Sequence, residues 1–491
     1  MLTKTLMILA QFIIAGVYGL STNVTVDGLG NVLGLKEYTK WTNRTVYSFR
    51  NIPFAEPPIG DLRFRIEDEN TTLPVMIWIH GGTFMTGYAS SFQPYFLLEE
   101  NVILVVPQFR LGPLGLLCLQ TDEIPGNVQF LDQIMAMQWV QDNIVYFGGN
   151  PNEVTLFGQS SGAASVNLHQ FSPLSNGLFH RAIIQSGSAF AGWVMDYNPL
   201  RTAANFGAVV NCTDTDTTKL AACFKNLDVE TLIDGFDIYI VGLAAMGGHR
   251  AVIQTAGTQR FLEEDPLTLL ARSEYQKMPM IGGATKHDGS FPLARITDQS
   301  GGISQTFINS HYADGDIGDF YKMVPGLIDI CSVLSFKAGV FQMLQANNRV
   351  NTSYLYRFGY FGENKALSGL SSILPFETGV GHSDDLYYLF PLTEDLSDDD
   401  TVIAKRMVSL WTSFAITGQP TAEGKTWEPM STAFGPYLII DEEFYDGTNY
   451  LTEHTIALQE GMTAVERSLA LNIRPKLIIL VVTTLSSIFK L

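Results

Sequence analysis

Along the chain, short runs that are apolar at nearly every position alternate with longer stretches in which apolar residues recur every third or fourth place. The short runs cover residues 74–79, 102–106, 154–157, 182–185, 278–281 and 354–356. A strand with one wet face would alternate apolar with polar, so these runs predict strands covered on both faces. In the longer stretches, Phe130, Ile134, Met137, Val140 and Ile144 share one helical face, and Ile403, Met407, Leu410, Trp411 and Phe414 share another. Gly418 and Pro420 close the second helix. Strand and helix in alternation predict an α/β fold with a large, mostly parallel central sheet flanked by helices. In such sheets ligands bind beyond the carboxyl ends of the strands.

Composition narrows this picture. The chain has 491 residues, without an internal repeat or low-complexity linker, which predicts one continuous domain over residues 20–470. Apolar residues make up 46% and charged ones 16%, the balance of a globular enzyme and not of a disordered chain. A formal charge of -19 excludes a nucleic-acid partner, whose phosphates demand an excess of Lys and Arg. Small neutral or cationic molecules fit better.

The two ends read as processing signals. Residues 1–19 have a positive start at Lys4, an apolar stretch from Leu6 to Val17 and small residues near its close, the pattern of an export signal. Sequons at Asn23, Asn43, Asn70, Asn211 and Asn351 agree with glycosylation in the secretory pathway. Of the 4 cysteines, Cys212 and Cys223 make the best disulfide pair. Closing their short loop contributes about 3 kcal/mol in the chain-entropy description. Cys118 and Cys331 read as buried apolar side chains. The apolar residues 477–491 would span only ~22 Å as a helix, against a hydrocarbon core of about 30 Å. The tail 471–491, preceded by Ser468, therefore reads either as a signal for glycolipid (GPI) attachment or as an ordinary C-terminal helix. The expected location is outside the cell, secreted or on the membrane's outer face.

Candidate chemistry begins at Gly158-Gln159-Ser160-Ser161-Gly162, which follows an apolar strand and opens a helix of small residues. That is the setting of a nucleophile elbow, where a tight turn lifts the serine oxygen above the sheet and forbids bulk two residues to either side. The surrounding residues 150–166, N-P-N-E-V-T-L-F-G-Q-S-S-G-A-A-S-V, resemble the signature of type B carboxylesterases and cholinesterases, members of the α/β-hydrolase superfamily. Further blocks at residues 48–55, 110–115, 125–127, 132–133 and 411–415 resemble that family in its own order.

The resemblance implies the remaining machinery. His382, within Gly379-Val380-Gly381-His382-Ser383-Asp384-Asp385-Leu386, resembles the family's histidine loop and is expected to be the base. Asp288 falls where the family usually has glutamate, in Gly282-Gly283-Ala284-Thr285-Lys286-His287-Asp288-Gly289, and is expected to orient that base, with His287 beside it solvated. His80-Gly81-Gly82-Thr83 resembles the family's oxyanion turn. The backbone N–H groups of Gly82, Thr83 and Ser161 are the expected donors, with Thr83 narrowing the acyl side. Serine, acid and histidine in that chain order imply ester cleavage through an acyl-enzyme. No metal or organic cofactor is expected, since the histidines lack metal-ligand spacing and no dinucleotide fingerprint occurs.

Departures from the family carry expectations too. It places several dozen residues between an Arg-Phe like Arg63-Phe64 and the oxyanion strand, and here only residues 65–73 intervene. The sheet is accordingly expected to lack a strand beside residues 74–79, leaving ladder groups open. The omitted loop carries the cholinesterases' tryptophan, and Gln159 replaces their glutamate, which disfavours choline esters. The alternative to a hydrolase is an extracellular adhesion domain of the neuroligin or glutactin type, which would have a protein partner.

Overall fold

The computed structural model describes residues 12–16, 23–26, 30–50, 52, 72–241, 248–298, 320–368, 374, 376–393 and 395–451. Its strands in chain order are β1 (Phe12–Gly16), β2 (Asn23–Val26), β3 (Gly30–Leu33), β4 (Leu35–Tyr38), β5 (Thr45–Arg50), β6 (Leu73–Ile79), β7 (Ile103–Pro107) and β8 (Gly149–Gln159). There follow β9 (Arg181–Gln185), β10 (Met280–Thr285), β11 (Ser353–Phe358), β12 (Thr421–Ala422), β13 (Lys425–Thr426), β14 (Tyr437–Ile440) and β15 (Phe444–Gly447). One 11-stranded sheet runs β15-β14-β11-β10-β9-β8-β6-β7-β1-β5-β4. From β14 across to β7 every neighbouring pair is parallel. At both flanks the pairing turns antiparallel.

The uninterrupted apolar runs have a plain cause. Ile77 and Ile79 of β6 enter one core, with Leu156, Ile184 and helix residues Phe130, Met137 and Val140. Met76 and Trp78 enter the other, with Phe157, Ile183 and Met407, Leu410, Trp411 and Phe414. Successive side chains point to opposite faces, so a sheet layered by helices on both sides requires an apolar residue at every position. The helices Val128–Asn143 and Asp398–Thr417 are those the periodicity predicts, and Gly418 ends the second in the left-handed region at φ 79°. The strand expected at 278–281 runs instead over Met280–Thr285. Gly282, Gly283 and Ala284 look unlike a strand in sequence, yet Cβ atoms built on the two glycines would press on Ile184, Val340 and Tyr356, which pack over them.

The open ladder expected beside residues 74–79 does not arise. Strand β6 is paired on one side with β7 and on the other with β8. It is β7 that needs an outer neighbour, and β1 takes that place, Ile13 opposite Val106 and Ile14 opposite Val105, while also pairing with β5. These residues lie inside the stretch 1–19 read as an export signal; the rest of that stretch, Asn70 and the tail 471–491 lie outside the described residues.

Cys212 and Cys223 form a disulfide, as expected, beside a satellite core of Phe206, Phe224, Phe236 and Tyr239. Cys118 and Cys331 are free and buried, and burial pushes their thiols up to about 11 and about 12. Asn43 and Asn211 are exposed and Asn351 is half-buried.

Candidate active site

Strand β8 ends at Gln159 and the helix Ser161–Phe171 begins at once, leaving Ser160 alone in the turn with φ 57° and ψ -126°. A non-glycine residue there stores strain that the surroundings must hold. Its N–H donates to Gln185 O at 2.8 Å, and its carbonyl accepts from Ala164 N at 3.0 Å. The glycines on either side are sterically required: a Cβ at Gly158 would lie 2.6 Å from the Gly162 carbonyl carbon, and one at Gly162 would fall on the Ile79 carbonyl oxygen.

Asp288 sits in the turn after β10, fully buried. Its Oδ1 accepts from His382 Nδ1 at 2.8 Å, and its Oδ2 accepts from Ser186 Oγ at 2.7 Å and Thr285 N at 3.2 Å. The carboxylate thus fixes the hydrogen on Nδ1 and leaves Nε2 with a lone pair. Phe336 stacks on the His382 ring at 4.3 Å and Phe291 flanks it at 5.1 Å. Among the described residues no hydrogen bond joins His382 to the Ser160 hydroxyl; Nε2 faces Gln159 Nε2 at 3.2 Å.

His287, expected to be solvated, is half-buried. Its N–H donates to Val380 O at 2.8 Å and its Nδ1 accepts from Val380 N at 2.9 Å, so it ties the acid turn to the histidine loop. Burial, reinforced by Lys286 and Lys337, lowers its pKa to about 4 and keeps it neutral.

Sequence reasoning also passed over the groups behind this pair. Asp385 Oδ2 accepts from Gln185 Nε2 at 2.8 Å, and Gln185 Oε1 accepts from Trp411 Nε1 at 3.0 Å. Asp384 accepts from the backbone N–H groups of Ala366 and Gly381, both at 2.7 Å. Burial raises the pKa of Asp384 to about 7 and that of Asp385 to about 6. The available signal was a polar Gln185-Ser186 closing an otherwise apolar strand at its carboxyl end.

Gly82, Thr83 and Phe84 all have positive φ, 120°, 57° and 63°. The turn is folded onto the Gly82 carbonyl, which accepts from Met85 N and Thr86 N, both at 2.9 Å, and from Thr83 Oγ1 at 2.7 Å. The N–H groups of Gly82 and Thr83 donate to no described residue. Phe84 N donates to Ser161 Oγ at 3.1 Å, fastening the turn to the start of the elbow helix. His80 stacks on Phe109 at 4.4 Å, and burial lowers its pKa to about 4, so it is neutral filling beneath the turn. Ser160 opens into a pocket lined by Thr83, Met85, Trp193, His249 and Phe336. Among the described residues no group of His, Cys, Asp and Glu converges as metal ligands would.

A sharp strand-to-helix turn over a parallel sheet, with the acid and histidine loops at the carboxyl ends of β10 and β11, defines an α/β hydrolase. The sequence matches the model of the carboxylesterase family over residues 20–67, 65–311 and 302–458. It is 30% identical to juvenile hormone esterase of Tribolium castaneum, over 80% of this chain and 83% of that one. It is 31% identical to bile salt-activated lipase of Bos taurus, over 79% and 71%. With glutactin of Drosophila melanogaster identity is 30% over 74% of this chain, which spans 40% of glutactin's length. Among solved structures, juvenile hormone esterase from Manduca sexta with OTFP covalently attached superposes with a TM-score of 0.75 at 23% identity, over 89% of this chain and 98% of that chain, a likeness of fold. The chain belongs to the carboxylesterase family, a family of carboxylic ester hydrolases.

Proposed function

We propose that this protein cleaves carboxylic esters through Ser160, His382 and Asp288. The observation that carries the reading is the 2.8 Å hydrogen bond between His382 Nδ1 and a fully buried Asp288, on loops that close around the strained Ser160 elbow. Ser160 Oγ attacks the carbonyl carbon as His382 Nε2 takes its proton, and the carbonyl electrons move onto oxygen. The N–H groups of Gly82, Thr83 and Ser161 receive that charge, each donor worth about 3 kcal/mol in the transition state. Collapse expels the alcohol, protonated by His382, and leaves an acyl-enzyme. Water then repeats the sequence and frees the acid. The lining of Met85, Trp193 and Phe336 favours aliphatic or aryl groups. The Cys212–Cys223 disulfide and the exposed sequons at Asn43 and Asn211 support export.

The similarity to glutactin favours a second reading, an extracellular adhesion domain. A fluorophosphonate probe separates the two. Wild-type protein is expected to label covalently and to hydrolyse a short p-nitrophenyl ester, while Ser160→Ala does neither. Folded wild type that stays unlabelled would leave the adhesion reading standing.

A further inference from the structure

Gln159, the last residue of β8, is 2% exposed and lies against the catalytic histidine. Its carboxamide nitrogen is 3.2 Å from His382 Nε2 and 2.9 Å from Ser383 Oγ. Because Asp288 holds the Nδ1 hydrogen, Nε2 offers a lone pair, which only a donor satisfies. Both amide hydrogens are thereby placed, one on the imidazole and one on Ser383. The amide oxygen is boxed in over Gly81, where a Cβ would stand 3.0 Å from Gln159 Oε1 and 2.8 Å from the Gln159 carbonyl oxygen. Ser383 meets the amide from a left-handed backbone at φ 73°.

The lone pair that Gln159 occupies is the one the Ser160 hydroxyl needs. We infer that Gln159 is a positioning residue that caps the base in the resting enzyme, so that Ser160 is primed only when the cap gives way. This rests on the proposed roles of Ser160 and His382. Among the described residues, the titratable groups around the ring are Asp288 on Nδ1, Asp384 and Asp385 in its own loop, and Tyr356, whose hydroxyl lies 3.5 Å from Asp385 Oδ2. Phe291 and Phe336 cover its faces.

The test is the rate of fluorophosphonate labelling of the full-length protein from pH 5 to 9. Gln159→Met keeps length and bulk without a donor, and Gln159→Glu offers an acceptor that pairs only with the protonated ring. On the alkaline plateau Gln159→Met is expected to label about fivefold faster, the equivalent of one neutral hydrogen bond. Its acid limb is expected to lie at higher pH, and that of Gln159→Glu higher still, by about one unit or more from wild type. Matching wild-type and Gln159→Met profiles, or slower plateau labelling by Gln159→Met, overturn the inference. If Gln159→Met fails to fold by circular dichroism, Gln159→Glu decides, and an unmoved acid limb overturns it. Wild type that labels beside unshifted variants removes the cap alone; wild type that does not label removes the reading beneath it as well.

Discussion

Thr83 is a β-branched residue at φ 57°, between Gly82 and Phe84 that also have positive φ. Such a backbone costs of order 1–3 kcal/mol for anything but glycine. Its hydroxyl recovers part by donating to Gly82 O at 2.7 Å. Thr83→Gly is therefore expected to raise stability by about 1 kcal/mol in urea unfolding and to raise kcat/KM for esters with branched acyl groups over acetyl esters. An unchanged acyl preference would show that Thr83 does not crowd the substrate. At this scale the sequence was legible where a residue type is forced by chemistry and local sterics together. Ser160 between two sterically required glycines could be picked out from its neighbours, whereas Asp288 and His382 were singled out only by the resemblance of their loops to the family's. Gln159 and His287 could not be picked out, because their partners, His382 and Val380, come from loops remote in sequence.

Among elements, Gln185 joins three parts of the molecule. Its carbonyl holds Ser160 N from β9, its amide nitrogen holds Asp385 in the histidine loop, and its amide oxygen holds Trp411 in the helix Asp398–Thr417. All three residues are buried, so Gln185→Leu leaves Trp411 Nε1 without its acceptor and Asp385 Oδ2 with only the 3.5 Å bond from the Tyr356 hydroxyl, at about 1–3 kcal/mol for each loss. We expect a loss of about 3 kcal/mol in chemical denaturation, together with a fall in kcat and not in KM, because the histidine loop loses its side-chain tie to Gln185 while the backbone bond to Ser160 stays. The interior strands were readable because both faces are covered. Strands β4 and β15 were not, since both are short, β4 mostly exposed and β15 half-exposed, so neither carries a continuous apolar run.

For the whole molecule, buried ionisable groups set the acid limit. Burial lowers His80 and His287 to about 4 and His169 and His249 to about 3, from an ordinary 6.5. The unfolded chain takes up those protons first, so each histidine's contribution is complete above pH 6.5 and is lost as pH falls toward 4. Asp384 and Asp385 act in the opposite sense: raised to about 7 and about 6 in the fold, they add stability as pH falls from about 7 toward 4. Around pH 5 four histidines outweigh two aspartates, and stability should drop by roughly 3 kcal/mol per pH unit. His249 lies among Phe206, Phe236 and Tyr239 with Nε2 unpartnered, so His249→Phe should fold and flatten that slope by about 1 kcal/mol per pH unit. Urea midpoints at pH 6 and pH 5 check both; a slope that rises toward acid would refute the balance.

The strand Phe12–Gly16 is made before either of its neighbours, and half of its ladder belongs to Ile103–Pro107. During synthesis it must wait for nearly a hundred further residues, so its docking is a late, non-local event in folding. In that interval its second edge stays open, so the ladder that joins the antiparallel flank to the parallel sheet is completed only when Ile103–Pro107 has formed.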